Sequence, residues 1–377
     1  MSDWGEWRAA RPRTDLLHLD SAAFGRSSLA TMSAVSQHAM LEAELGGYVA
    51  EDRAENQLAR VRRDVALLLG TDEEGVAFVE SAMAALDVLL QAWPLPPGAR
   101  VGVAASVWGP TLELLDRHGL RVELLPVDGA GVLALDRLEA RLTWDPPDLV
   151  LVDQVAAHRG LVQPAPEVMA LGRNHGVPVW LDAAQAAGHL TIPVGADAVV
   201  ATSRKWLTGP RGVGMLAVAE RHRPSLRVRR TAKRPDWPMV RLLESEEAHV
   251  AGRMGLGAAV REYFDLGPTR VAQRLDEVGR LTREAVMSLS GWEVARPAAP
   301  AGATTGLLPR EGQDVVRTRG RLLHEHAILT SACLPWRAPL EMTGSAGTTS
   351  GPMLRLSPHV DLTAEDLERV CKALMAV

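Results

Sequence analysis

Cysteine is nearly absent from this 377-residue chain, with Cys333 and Cys371 the only two. That is too few for a disulfide framework, and the pair has no metal-ligand spacing. The 11 histidines are scattered, and the closest two, His324 and His326, would point apart on a helix. No metal is therefore expected. Phenylalanine (3) and tyrosine (2) are scarce while tryptophan (10) is not, an imbalance without a physical account. Long apolar runs are missing too: nowhere do about eighteen uncharged apolar residues follow one another, which argues against a membrane span. Nor is there a basic excess, since the formal charge is -5, and this argues against nucleic acid or an anionic membrane as partner. The opening "MSDWGEWRAARPR" has acidic residues and no apolar segment, so no secretory leader is expected and a cytoplasmic location is. What is present, 47% hydrophobic and 23% charged residues, suits a large globular domain with a smaller one, acting on a small molecule.

Two amphipathic stretches come first, from about Ser28 to Leu45 before Gly46 and Gly47, and from Glu51 to Leu69 before Gly70. Seven apolar runs follow: "GVAFV", "RVGVAA", "LRVELLPV", "DLVLVDQ", "VPVWLDA", "DAVVAT" and "GVGMLAV". Helical patterns lie between most of them, which predicts an α/β fold with a mostly parallel sheet covered by helices. The pattern changes after about residue 220. "RHRPSLRVRRTAKRPDWP" is basic and aperiodic, the mark of a long loop with a functional or interface role. A helical pattern from about Val250 to Leu289 breaks near Gly267 and Pro268. Past "RPAAPAGATTG" the chain reads as a small α+β unit ending in a helix, whose start pairs Thr363 with Asp366 at capping-box spacing. These divisions predict a large domain over residues 15–245 and a small C-terminal domain over 246–377, with residues 1–25 packing on the small one.

The densest chemistry is in "ATSRKWLTGPRGVGML", residues 201–216. Lys205 falls at the end of one apolar run, and a glycine-rich turn leads into the next, so a rigid corner presents its amine. The glycine spacing matches no nucleotide loop. In an open parallel sheet ligands bind outside the carboxyl ends of the strands, and other polar residues fall at such ends. Asp182 closes "VPVWLD", with Gln185 one turn on. Ser81 follows "GVAFVE" and opens a helix, leaving the Ala82 and Met83 amides free for an anion. Trp108, His158, Thr202 and Arg204 complete the set. Taken singly, each has a plainer reading: a solvated lysine, a turn-capping aspartate, a core tryptophan. Together an amine, a carboxylate, a flat ring and an anion cup are what pyridoxal phosphate asks for.

The motifs "LHLDSAAFG", "VWLDAAQAAGH", "SRKWLTGPRGVGML" and "MLRLSPHVDLTAEDLERV", in this order, resemble those of the class V aminotransferase and cysteine desulfurase group of fold-type I pyridoxal phosphate enzymes. The resemblance implies that Lys205 is the Schiff-base lysine and that Asp182 partners the pyridine nitrogen. Gln185 would meet the ring hydroxyl and Trp108 would stack on the ring. Ser81, Ala82, Met83, Thr202 and Arg204 would form the phosphate cup, with Arg204 where relatives often have histidine. Arg355 would grip the substrate carboxylate. It also implies a homodimer in which a partner segment completes the phosphate site; in "LESEEAHVAG", Glu246 stands where relatives often have threonine, and Ser245 is the alternative.

That scaffold hosts several reactions. Desulfurases need a nucleophilic cysteine on a mobile loop; here Cys333 lies about two positions before the expected site and reads as an inert thiol, and Cys371 as structural. "AELGGYVAE", "AAHRGLVQP", "RPDWP" and "TSACLPWRAPLEM" resemble the carbon–sulfur lyases of ergothioneine biosynthesis, which cleave hercynylcysteine sulfoxide. Such a substrate implies roles for Phe24, Tyr48 or Trp336 around a trimethylammonium group, and for Arg337 or Arg159 at a second carboxylate. A cysteine desulfurase or aminotransferase on the same scaffold, and a catalytically silent cofactor-binding protein, are the alternatives.

Overall fold

The computed structural model describes residues 4–228, 235–245, 247–295, 301–310, 312–344 and 351–377. Helix α1 (Trp4–Ala9) and the short strand β1 (Leu17–His18) precede two long helices, α2 (Leu29–Leu45) and α3 (Gly47–Leu69). Then come β2 (Val76–Val79), α4 (Ala82–Ala92), β3 (Arg100–Val103), α5 (Gly109–Arg117), β4 (Arg121–Leu124), α6 (Leu135–Trp144), β5 (Leu149–Asp153), α7 (Ala165–His175), β6 (Val179–Asp182), β7 (Ala198–Thr202) and β8 (Gly214–Val218). Helices α8 (Val250–Leu266) and α9 (Pro268–Met287) lead to β9 (Trp292–Val294), β10 (Thr305–Pro309), α10 (Val315–His326), β11 (Ile328–Leu329), β12 (Ser331–Cys333), α11 (Pro339–Met342), β13 (Met353–Leu356) and α12 (Ala364–Ala376). The capping box at Thr363 and Asp366 is formed.

Strands β2 to β8 make one sheet in the order β2-β8-β7-β6-β5-β3-β4, and β8 alone runs against its neighbours. The seven apolar runs of the sequence are these seven strands. Their side chains alternate between two cores, as the pleat requires: in β5, Val150 and Val152 join one, Leu149 and Leu151 the other. Each fully buried side chain of this kind contributes roughly 1.5–3 kcal/mol, so the sheet is a stiff platform. The chain runs from β3 out to β4 and then crosses back to β5, so the β3/β5 boundary is where strand order reverses. An open α/β sheet offers its crevice at such a point.

Strands β9, β10, β12 and β13 form a second, antiparallel sheet, with β1 beside β11. Leu17 and Leu19 belong to this unit's core, which bears on the expected packing of the N-terminal residues, although Trp7 joins the core of the large sheet. Residues 246–267 fall in the small unit by the sequence division. Yet Leu256, Val260 and Tyr263 of α8 pack into the large sheet's core, because the helix lies against α2 and α3. The cores change over within α9, between Leu275 and Val278. Among the described residues no helix is long and apolar enough to cross a membrane.

Candidate active site

The carboxyl ends of β3, β5, β6 and β7 open on a cavity of about 280 Å³ whose walls come from both units. Lys205 reaches it from the corner after β7. The corner is tied at several points: the Thr208 amide donates to the Lys205 carbonyl at 2.9 Å, the Gly25 amide to the Arg204 carbonyl at 2.7 Å, and the Ser203 hydroxyl to the Val213 carbonyl at 2.9 Å. Thr208 takes a left-handed backbone (φ 55), a strain on the order of 1 kcal/mol that the surrounding bonds sustain. Burial, first, and then the Arg204 and Arg355 cations push the Lys205 amine down to about 8, against the pull of Asp182 and Asp153. At pH 7.5 about a quarter of such amines are neutral, where about 0.1% of free lysines would be. Only the neutral amine attacks an aldehyde. Capture of pyridoxal phosphate by cofactor-free protein, followed by stopped-flow absorbance, should therefore speed up with rising pH and level off above about 8; a rate still climbing tenfold per unit beyond pH 9 would contradict the depressed amine.

Two carboxyl groups face the lysine. Asp182 Oδ1 accepts the Ala184 amide at 2.8 Å, and Asp153, its register partner on β5, accepts the Trp108 amide through Oδ2 at 2.8 Å. Burial raises both; Asp182's charge then lifts Asp153 well above the carboxylate range, whereas Lys205 holds Asp182 down. Asp153 is absent from the residues expected on sequence grounds. Its only signal there is an acid closing the apolar run "LVLVD", the same signal that marks Asp182.

Ser81 caps α4, its Oγ accepting the Ala84 amide at 3.0 Å, so the hydroxyl is engaged while the first-turn amides of Ala82 and Met83 remain open. This helix end is seated on β8 at Gly214, where a Cβ would fall 2.6 Å from Ser81 Cα. Thr202 and Arg204 line the same cavity, and the Arg204 guanidinium donates to the Ala23 carbonyl. Gln185 lines it with its amide committed: Nε2 donates to the Ala22 carbonyl and Oε1 accepts from Trp206 Nε1, each at 2.9 Å. Trp108 meets Trp336 edge to face at 5.4 Å, brought there because Gly109 lets the Trp336 carbonyl approach where any Cβ would collide. Arg337 lies over both rings, 5.7 and 5.0 Å from their centroids.

Arg355 lines the cavity on the β13 side. Its Nη2 pairs with Asp20 at 3.0 Å and donates to Ser331 at 3.1 Å, Nη1 donates to the Ala157 carbonyl at 2.7 Å, and Nε is buried without a partner among the described residues.

Four expected residues are elsewhere. His158 does not line the cavity: it turns beneath α11, with Nε2 3.1 Å from Glu341. Arg159 is bound there as well, its Nε 2.6 Å from the same carboxylate. Tyr48 is 73% exposed on α3 beside a separate groove that it shares with Trp237. Phe24, 42% exposed, is outside the lining although Ala22 and Ala23 belong to it. Glu246 lies outside the described residues.

Residues 18–370 match the aminotransferase class-V family. The chain belongs to that family. It is 41% identical, over 98% of its length and 92% of the relative's, to a probable hercynylcysteine sulfoxide lyase of Mycobacterium tuberculosis. A cysteine desulfurase of Klebsiella pneumoniae is 25% identical over 95% of this chain and 94% of its own. In fold the class-V chain is similar to a cysteine desulfurase of Thermococcus onnurineus, with TM-score 0.86 at 19% identity, covering 99% of this chain and 97% of that one. It is thus a fold-type I enzyme, and its cofactor is pyridoxal phosphate. The site fits that group. A low-pKa amine, the Asp182 carboxylate, a flat indole and open helix amides beside Arg204 answer its aldehyde, ring nitrogen, ring face and phosphate.

Proposed function

We propose that this enzyme is a carbon–sulfur lyase that cleaves hercynylcysteine sulfoxide by β-elimination. The observation that carries the reading is the burial of Cys333. Its side chain is fully enclosed with Ala295, Ala338, Met342 and Met353, does not line the cavity, and burial pushes its thiol up. Cys371, the other thiol, sits on α12 with its Sγ directed at the Ala285 carbonyl. A desulfurase needs a thiolate to take the sulfur; here the sulfur has to leave with its own electron pair. The hercynylcysteine sulfoxide lyase relative supports the same choice.

When bound, the cofactor supplies an electron sink for the substrate's α-carbon. Lys205 and Asp182 would hold it through its aldehyde and ring nitrogen, and the α4 amides with Arg204 through its phosphate. The chain's own work is then limited. Lys205, neutral in part near pH 7.5, takes the α-proton. The Cβ–S bond breaks and its pair leaves on sulfur as a sulfenate, a better leaving group than a thiolate. The released enamine hydrolyses to pyruvate and ammonia, and two equivalents of an external thiol, oxidised to their disulfide, reduce the protonated sulfenate to ergothioneine, its oxygen leaving as water.

Arg355 holds the α-carboxylate, its donors oriented by Asp20 and the Ala157 carbonyl. Of the two arginines considered for a second carboxylate, Arg159 is spent on Glu341. Arg337 lines the cavity with its Nε buried and without a partner among the described residues, so it takes that role, with half-exposed Trp336 beside it for the trimethylammonium. The enzyme works as a cytoplasmic homodimer on this reading.

The test is product analysis with pyridoxal phosphate and a thiol, offering hercynylcysteine sulfoxide and cysteine in parallel. Pyruvate and ergothioneine from the sulfoxide support the lyase; alanine and sulfide from cysteine would mean a desulfurase. Cys333→Ala should leave kcat within about twofold while costing on the order of 1 kcal/mol of stability. Loss of turnover in a variant that remains folded by circular dichroism would return the thiol to the mechanism.

A further inference from the structure

Asp153 has no part in the mechanism so far. It closes β5 opposite Asp182 in parallel register, both line the cavity, and directly opposed residues on neighbouring strands present their side chains to the same face. Its Oδ2 accepts the Trp108 amide, and its Oδ1 is buried without a hydrogen-bond partner among the described residues. An ionised carboxylate in that position would combine an orphaned oxygen with a like charge next door. One proton on Oδ1 ends the repulsion and turns the idle acceptor into a donor.

We propose that Asp153 is a positioning residue that acts through Asp182: the two carboxyl groups hold one proton between them, with Asp153 the neutral member, so that Asp182 alone presents a negative charge to the cofactor's ring nitrogen. The asymmetry has a source in the surroundings. Lys205 and the Ala184 amide favour the charged form of Asp182, whereas Asp153 meets burial and Asp182's charge first. Arg204 and Arg355 line the same cavity. Through the Trp108 amide, Asp153 also fixes where the indole enters the site.

The measurement is infrared spectroscopy of the holoenzyme labelled with 4-13C aspartate, combined with the affinity for pyridoxal phosphate. At neutral pH the wild type should show a protonated aspartic C=O stretch that is lost in Asp153→Asn. The same variant should bind pyridoxal phosphate within about threefold of wild type, because an amide N–H replaces the acid O–H. An ionised Asp153 predicts the reverse: no such band, and an affinity that falls by roughly tenfold or more once a charge is removed beside the ring nitrogen. A band that survives in Asp153→Asn also overturns the assignment. Asp182→Asn gives a second reading if Asp153→Asn does not fold. The band should then disappear at lower pH than in wild type, since Asp182's charge is what keeps Asp153 protonated; an unchanged titration would refute the coupling.

Discussion

Lys205→Ala is expected to lower turnover of the sulfoxide by on the order of 10³-fold or more, because in the proposed mechanism one side chain both secures the cofactor and moves the α-proton. Two features of the structure make the amine hard to replace. It lines the cavity beside the two carboxyl groups, and its corner is fixed by the Thr208, Gly25 and Ser203 bonds, which hold the backbone around it in place. The cavity offers no second base of the same kind: its other cations, Arg204, Arg337 and Arg355, are guanidiniums that stay protonated. Single-turnover assays with small primary amines added back should recover part of the loss without altering substrate KM much. A variant that keeps the wild-type rate, and the visible absorbance of lysine-bound cofactor, would remove Lys205 from both roles.

Asp182→Ala is expected to be nearly as damaging, with kcat down on the order of 10²-fold and weaker hold on pyridoxal phosphate. On the proposed assignment the carboxylate matters because it keeps the ring nitrogen protonated, and no other anion lining the cavity stands ready unless Asp153 gives up its proton. The variant should therefore recover somewhat as pH rises and Asp153 ionises, and should do so at lower pH than Asp153 ionises in wild type, because Asp182's charge no longer holds the proton there. Steady-state rates as a function of pH, beside cofactor affinity by equilibrium dialysis, decide this; a variant as active as wild type would mean that the ring nitrogen has another partner.

Much of this site is legible in the sequence. Asp182 ends a largely buried strand and Trp108, Ser81 and Lys205 follow such strands, and a buried strand in an α/β protein writes itself as a short apolar run that ends where the ligand crevice begins. The residues that fall elsewhere do so for one physical reason. His158 is near the end of β5 in sequence, but its position is set by Glu341, 183 residues away, and Arg159 is claimed by the same acid. The Asp20 partner of Arg355 is 335 residues distant. No local pattern encodes such pairings, and the surroundings of Tyr48 are likewise a matter of packing alone. Asp153 is the instructive omission, since an acid at the end of a buried strand marks it as plainly as it marks Asp182.

The Glu341 contacts have a consequence for how substrate enters. Burial alone would raise this carboxyl, yet His158 and Arg159 hold it at about 2, so the tie between α11 and the turn after β5 stays charged at any physiological pH. Gly109 clamps the same stretch from the other side through the Trp336 carbonyl. The segment carrying Trp336 and Arg337 is thus held against the large unit at two points, by the Glu341 ion pairs and by the close approach at Gly109. Its conformational entropy is surrendered once, during folding, and need not be surrendered again at each encounter. On the proposed function, selectivity follows from those ties: a ligand meets the Arg337 and Arg355 guanidiniums at a set separation, and a molecule of the wrong span is disfavoured.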